Sequence, residues 1–343
     1  MSKNLKKTCP EPHRRIVCLG GGTGISMVLS GLLDFPCDLS AVVTMFDDGG
    51  SSGRLVREFH VLPPGDVRQC LIATAQNKKL IKDFTYRFKN GLKKGHSQGN
   101  LFILEAVKEK RGDWNKAIEK LTKDLNAKAK IWPVTLERAK NKAILRNKKQ
   151  IIGEENIINS QDVSNIGLEN LVLVPDVRAN PKAISAIKKA DLIIIGPGKF
   201  YTSLIPNFLV KGITEAIKKS KAKKIFICNL MTREGNTDRL KVEDYSGILG
   251  KYLRGRPDLV LFNTGKLSGQ LMKKVKKIFP RSEFVGYDKK LLSDKKFIGT
   301  DLLDNRIREL NPADVLVKGA NQRTIVFHDS KKLAKIILKL CKL

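Results

Sequence analysis

The chain has 343 residues, 41% hydrophobic and only 6% aromatic, enough for a large and mostly aliphatic core. No apolar run approaches the roughly 20 residues that span a bilayer, and the opening MSKNLKKTCPEPHRR holds no apolar stretch of signal-peptide length, so membrane insertion is not expected and a cytoplasmic location is. The net charge of +31, from 65 basic and 34 acidic residues, raises nucleic acid as a partner, but the lysines are spread at helical spacing (AIKKSKAKK, LMKKVKKIF) with no RNA- or DNA-binding motif beside them, so dedicated nucleic-acid binding is not expected.

Residues 1–13 read as a disordered basic leader, and residues 14–343 as a single α/β domain, with room for a short hinge near residue 160. RRIVCLG reads as a buried strand stopped by glycines, ISMVLSGLL as a helix and LSAVVTMF as a second buried strand, which together imply a parallel sheet covered on both faces. From Val67 to about Leu125 the pattern is helical, broken at KKGHSQGN. The texture then changes. From about 130 to 160, IWPVTL, KAILRN and QIIGEE alternate with polar turns, which predicts a small β-rich insertion. Alternation resumes with strand candidates LVLV, DLIIIGPG, KIFICNL, DLVLFNTG and SEFVGYD, separated by helices such as PKAISAIKKA, and the chain finishes on RTIVFHD and SKKLAKIILKL. The six cysteines (Cys9, Cys18, Cys37, Cys70, Cys228, Cys341) show no C-x-x-C spacing, so no zinc site is expected.

Chemistry concentrates where predicted strands end. In CLGGGTGIS, Gly21, Gly22, Thr23 and Gly24 lead from a strand into a helix whose first amides face an anion. The spacing is neither the dinucleotide fingerprint nor a P-loop, which argues against a nicotinamide oxidoreductase. TMFDDGGSSGRL places Asp47 and Asp48 after the second strand, suited to ribose hydroxyls or to a divalent metal such as Mg²⁺. Gly50, Ser51, Ser52 and Arg54 follow as donors toward an oxyanion. On this reading Asp48→Asn weakens ligand or metal binding more than it weakens the fold. In VLPPGDVRQ, Asp66 either caps the helix that follows or faces the cleft with Arg68. KKGHSQGNL offers His96 and Asn100 as a polar ligand-facing loop rather than a hydrolytic triad. In the second half, Gly196, Pro197 and Gly198 turn a strand toward the hydroxyls of Tyr201, Thr202 and Ser203, and Asn229 and Thr232 follow another strand. No nucleophile or general base stands out.

Six ordered motifs, GGGTGIS, TMFDDGGSSGRL, LPPGDVRQCL, GHSQGNL, IGPGKFYTSLIPN and CNLMTREGNTD, resemble the YvcK-type gluconeogenesis factors, relatives of the phospholactate transferase CofD, over roughly residues 14–340. The resemblance implies a CofD-like, Rossmann-related α/β fold and binding of UDP-sugars such as UDP-N-acetylglucosamine. It also implies support of cell shape and peptidoglycan synthesis during growth on gluconeogenic carbon sources. Binding itself would need no cofactor, Mg²⁺ being an optional one, and self-association and regulatory protein partners fit such a factor. The alternative it implies is a metal-dependent transferase moving a phospholactyl-type group from a nucleotide-activated donor. Three departures from the family's usual pattern are visible. Lys199 stands where a serine follows the Gly-Pro-Gly turn, Gln98 replaces an aromatic, and REGNTDRLK brings Arg233, Asn236 and Arg239.

Overall fold

The computed structural model describes residues 14–278, 280–306 and 326–340. The expected leader at 1–13, Cys9, Cys341 and the first residues of RTIVFHD lie outside the described residues. Strand β1 (Arg14–Gly20) turns into α1 (Gly22–Leu32), and β2 (Cys37–Val43) leads to α2 (Gly50–Phe59). A helical run follows: α3 (Gly65–Thr74), α4 (Lys78–Thr85), α5 (Gln98–Glu109) and α6 (Trp114–Asp124). Next come β3 (Ala129–Pro133), β4 (Lys140–Leu145), β5 (Gln150–Ile152), the short helices α7 (Glu154–Asn159) and α8 (Asp162–Asn165), and β6 (Leu168–Val174). Helix α9 (Pro181–Lys189) enters β7 (Leu192–Ile195), which is followed by a π-helical turn (Phe200–Leu204), α10 (Pro206–Leu209) and α11 (Ile213–Lys219). The chain ends through β8 (Lys223–Ile227), α12 (Val242–Leu253), β9 (Leu259–Asn263), α13 (Gly269–Ile278), a 3₁₀ turn (Lys289–Ser293), β10 (Phe297–Thr300) and α14 (Ser330–Leu340).

The main sheet runs β10-β9-β8-β7-β1-β2-β3, with every pairing parallel. Parallel strands need both faces covered, and the central runs are apolar throughout: Ile16 to Leu19 and Leu192 to Ile195 are all buried. Amphipathic helices supply the cover. In α6, Asp113 caps the first turn by accepting the Lys116 amide, and Trp114, Ala117, Ile118 and Leu121 form the buried stripe at helical spacing. The sheet order reverses between β1 and β7, because β1 pairs with β2 on one side and β7 on the other. At such a reversal the loops leaving the two strands diverge and leave a crevice at the strands' carboxyl ends.

The β-rich insertion is real but displaced. IWP belongs to the main sheet as β3, while the separate antiparallel sheet, ordered β5-β4-β6, spans Lys140 to Val174. The apolar run LVLV, expected in the parallel sheet, is the end of β6, paired antiparallel with β4. SEFVGYD makes only an isolated bridge, Met231 with Phe284. The edge strand β10 was not expected.

Candidate functional site

The two loops flanking the reversal touch. A Cβ on Gly24 would overlap the Pro197 carbonyl, so the first turn of α1 rests directly on the Gly196–Gly198 turn after β7. On the other side of α1, a Cβ on Gly22 would lie 2.6 Å from Asp66 Cα. This closeness lets Asp66, in the first turn of α3, accept the Gly22 amide. Asp66 therefore faces the crevice and does not cap its own helix, where Pro64 occupies the N-cap without a side-chain bond. From β8, Asn229 Nδ2 donates to the Gly198 carbonyl at 2.7 Å and braces the same turn, while its Oδ1 is buried with no partner.

A charged cluster lies against these loops. Glu154 opens α7 in the insertion and is 3% exposed. Its Oε1 accepts from Lys199 Nζ (3.2 Å), Thr202 Oγ1 (3.2 Å) and Ser203 Oγ (3.1 Å). Its carboxyl also hydrogen-bonds the Asp47 side chain. Burial pushes the Glu154 carboxyl well above the usual range, Lys199 opposes that rise, and Asp47 and Asp66 add to it. Burial, followed by the Asp47 charge, raises Asp66 to about 6. Lys199 loses water, which works against its charge, yet Glu154, Asp47 and Asp66 together hold its ammonium above its ordinary value. Arg233 joins from beyond β8: burial lowers it and Glu154 opposes the fall.

Beside this cluster the candidate residues of the first half form a neutral knot. Ser51 Oγ accepts from Asn100 Nδ2 (3.1 Å) and the Ser97 amide (3.4 Å), so its single proton goes to His96 Nδ1 at 3.1 Å. Burial, followed by the Arg54 charge, lowers the His96 pKa and keeps the ring neutral. Arg68 Nε donates to Asn100 Oδ1 at 2.9 Å, and Arg54 donates to the Lys94 carbonyl. Thr23 Oγ1 donates to Gln69 Oε1, and Ser52 is buried.

Three residues read as ligand contacts also have structural partners. Asp48 Oδ1 and Oδ2 accept the amides of Glu155 (2.9 Å) and Glu154 (3.0 Å), so Asp48 pins the insertion to the loop after β2. Each Asp48 oxygen therefore already accepts one amide before any metal is considered. Tyr201 is buried with its ring edge-on to Phe200, and Thr232 Oγ1 is tied to the Glu283 backbone. Conversely, Glu154 was missed. Its only sequence signal was GEE closing a predicted strand, more than 100 residues from Asp48. Asn236, one of the departures, donates to the Ile157 carbonyl and anchors the far end of α7. Hard carboxylate oxygens at Asp47 and Asp66 suit Mg²⁺, but among the described residues no three His, Cys, Asp or Glu side chains are gathered to hold a metal.

A seven-stranded parallel sheet with glycine loops and carboxylates at a strand-order reversal defines a Rossmann-related α/β protein. Residues 16–302 match the family described as 2-phospho-L-lactate transferase CofD, and the chain belongs to that family. A Thermotoga maritima relative is 39% identical over 329 residues, covering 95% of this chain and 99% of its own length. The Bacillus subtilis gluconeogenesis factor is 34% identical over 332 residues, covering 96% of this chain and 98% of its own. A crystal structure of a Bacillus halodurans protein of the UPF0052 family superposes with a TM-score of 0.84 at 32% identity, covering 96% of this chain and 99% of that one.

Proposed function

We propose that the crevice between the β1 and β7 loops binds a nucleotide-activated sugar of the UDP-sugar class, and that the chain acts as a gluconeogenesis factor through that binding. The observation that carries the reading is the direct seating of the α1 first turn on the Gly196–Gly198 turn at the sheet reversal. First-turn amides of α1 beyond Gly22, whose own amide bonds Asp66, and donors along the π-helical turn suit a diphosphate, and the carboxylates of Asp47 and Asp66 suit ribose hydroxyls or a Mg²⁺ ion that travels with the phosphates. Relatives named gluconeogenesis factor match along nearly the whole chain, which supports the gluconeogenesis-factor part of the reading; a link to cell shape and peptidoglycan supply in the cytoplasm is the part of the proposal that rests on the family resemblance alone.

The second reading is a CofD-type transferase, favoured by the family match and by the carboxyl cluster. Among the described residues, two groups of candidate hydroxyls already have partners. Ser51 is already bonded three ways, and the Thr202 and Ser203 hydroxyls beside Lys199 serve Glu154. The two readings separate in one experiment. Thermal shift and calorimetry with UDP-N-acetylglucosamine, UDP-glucose, GDP and GTP, with and without Mg²⁺, are followed by chromatography of the recovered nucleotide. The binding factor returns a UDP-sugar intact. Metal-dependent consumption of a guanosine-linked donor would establish the transferase instead.

A further inference from the structure

One oxygen in the crevice has an unusual set of partners. Glu154 Oε1 receives an ammonium and two hydroxyls, all between 3.1 and 3.2 Å. Two of these donors sit in the π-helical turn and the third, Lys199, immediately precedes it, all on the β7 loop, whereas the acceptor comes from the insertion. The three donors form a concave receptor for one anionic oxygen. The oxygen that fills it is poorly placed. It belongs to a carboxyl buried to 3% exposure, in contact with the Asp47 carboxyl and close to Asp66. Carboxyls held this close repel when ionised and share a proton when they do not, so the interaction is weaker than three donors normally provide. Lys199 is also the position where this chain departs from the serine of the family it resembles.

We infer that Lys199 Nζ, Thr202 Oγ1 and Ser203 Oγ form a subsite for a phosphoryl oxygen of the ligand, and that Glu154 Oε1 marks the place this oxygen takes. The inference rests on the nucleotide-diphosphate reading of the crevice and adds the contact that fixes the phosphate. The backbone of α7 does not have to move for the exchange. Asp48 holds the amides of Glu154 and Glu155, and Asn236 holds the Ile157 carbonyl, so only the Glu154 side chain swings away. Lys199 is partly exposed, with 47% of its side-chain surface open, and can follow an incoming anion. Because Asp47 and Asp66 remain beside the subsite, the ligand enters with a proton on one of them or with a divalent cation.

The test is calorimetric titration of the full chain with UDP-N-acetylglucosamine and, separately, with inorganic pyrophosphate, each with and without Mg²⁺. Four proteins are compared: wild type, Glu154→Ala, Glu154→Gln and Lys199→Ser. Glu154→Ala empties the subsite and is expected to bind about tenfold tighter than wild type. Glu154→Gln keeps a neutral, weaker acceptor and falls between the two. Lys199→Ser removes the ammonium and binds about tenfold weaker. If wild type binds and neither Glu154 variant binds tighter, the inference fails while the nucleotide reading stands. If no protein of the four binds either probe, both fail. Should Glu154→Ala not fold, Glu154→Gln and Lys199→Ser still decide the matter, and unchanged affinity in both overturns the subsite.

Discussion

Two clusters of polar residues lie side by side at the carboxyl ends of the strands, and they have opposite characters. The Ser51, His96, Asn100 and Arg68 knot is neutral apart from the arginine, and each of its bonds has a matched donor and acceptor. The Asp47, Asp66, Glu154 and Lys199 cluster gathers three carboxyls around Lys199, with Arg233 joining from beyond β8, and burial raises two of those carboxyls. A fully satisfied network holds loops in place and gains nothing from a ligand. A network of crowded, buried carboxyls is stabilised when something cationic, or a reorganising ligand, arrives. Under the proposed function, the contrast makes the first cluster a scaffold and the second the binding surface.

Four substitutions break or sharpen this contrast. The largest effect is expected at the seam between the two loops. Gly24→Ala drives a methyl into the Pro197 carbonyl, and chemical denaturation should show a loss of about 3 kcal/mol together with loss of ligand binding. A second substitution reports on the charge conflict. Burial lifts Asp66 from the ordinary 3.8 to about 6, so the folded chain holds this proton more tightly than the unfolded chain does. That stabilisation is complete below about pH 4 and is lost as pH rises through about 6. Asp66→Asn should therefore remove the fall in stability across this window and leave the variant on the order of 2 kcal/mol more stable than wild type at pH 7.5, while weakening ligand binding. A wild-type stability that rises between pH 4 and 6, after correction with the variant, would contradict the assignment.

The third prediction reverses the sequence-based one. Asp48→Ala leaves two α7 amides without their acceptor and should cost about 2 kcal/mol, read as a lower melting temperature, with a smaller effect on ligand affinity measured below the melting range. The smallest effect belongs to the neutral knot. Ser51→Ala should cost about 1 kcal/mol and leave ligand affinity within twofold. A tenfold loss of affinity there would move the knot from scaffold to binding surface. The knot also has its own pH signature, opposite in sign to that of Asp66. Burial disfavours the charged His96 ring, so its contribution is present at neutral pH and is lost as pH falls below the ordinary histidine range.

Much of this architecture was legible in the residues. Glycine clusters after apolar runs located the loops at the reversal, because only a tight turn from a buried strand into a helix needs that composition. What stayed hidden depended on partners far away in the chain. LVLV reads as a buried strand in either sheet, since an apolar run of this length carries no record of which ladder it joins. The fate of Asp48 was decided by amides at 154 and 155, and that of Glu154 by donors at 199, 202 and 203. A carboxylate next to glycines looks the same whether it waits for a ribose or caps a helix from another sheet. Lys199 stood out only as a departure from a resembled pattern, and its role became visible once the insertion was folded over it.

The most direct measurement is a calorimetric titration of the wild-type chain with UDP-N-acetylglucosamine at pH 7.5, with and without Mg²⁺, followed by recovery of the nucleotide. Saturable binding of one ligand per chain, with the UDP-sugar returned intact, is the expected result. Absence of any heat or thermal shift at millimolar ligand, alongside binding of an unrelated nucleotide or of none, would contradict the UDP-sugar reading of the crevice.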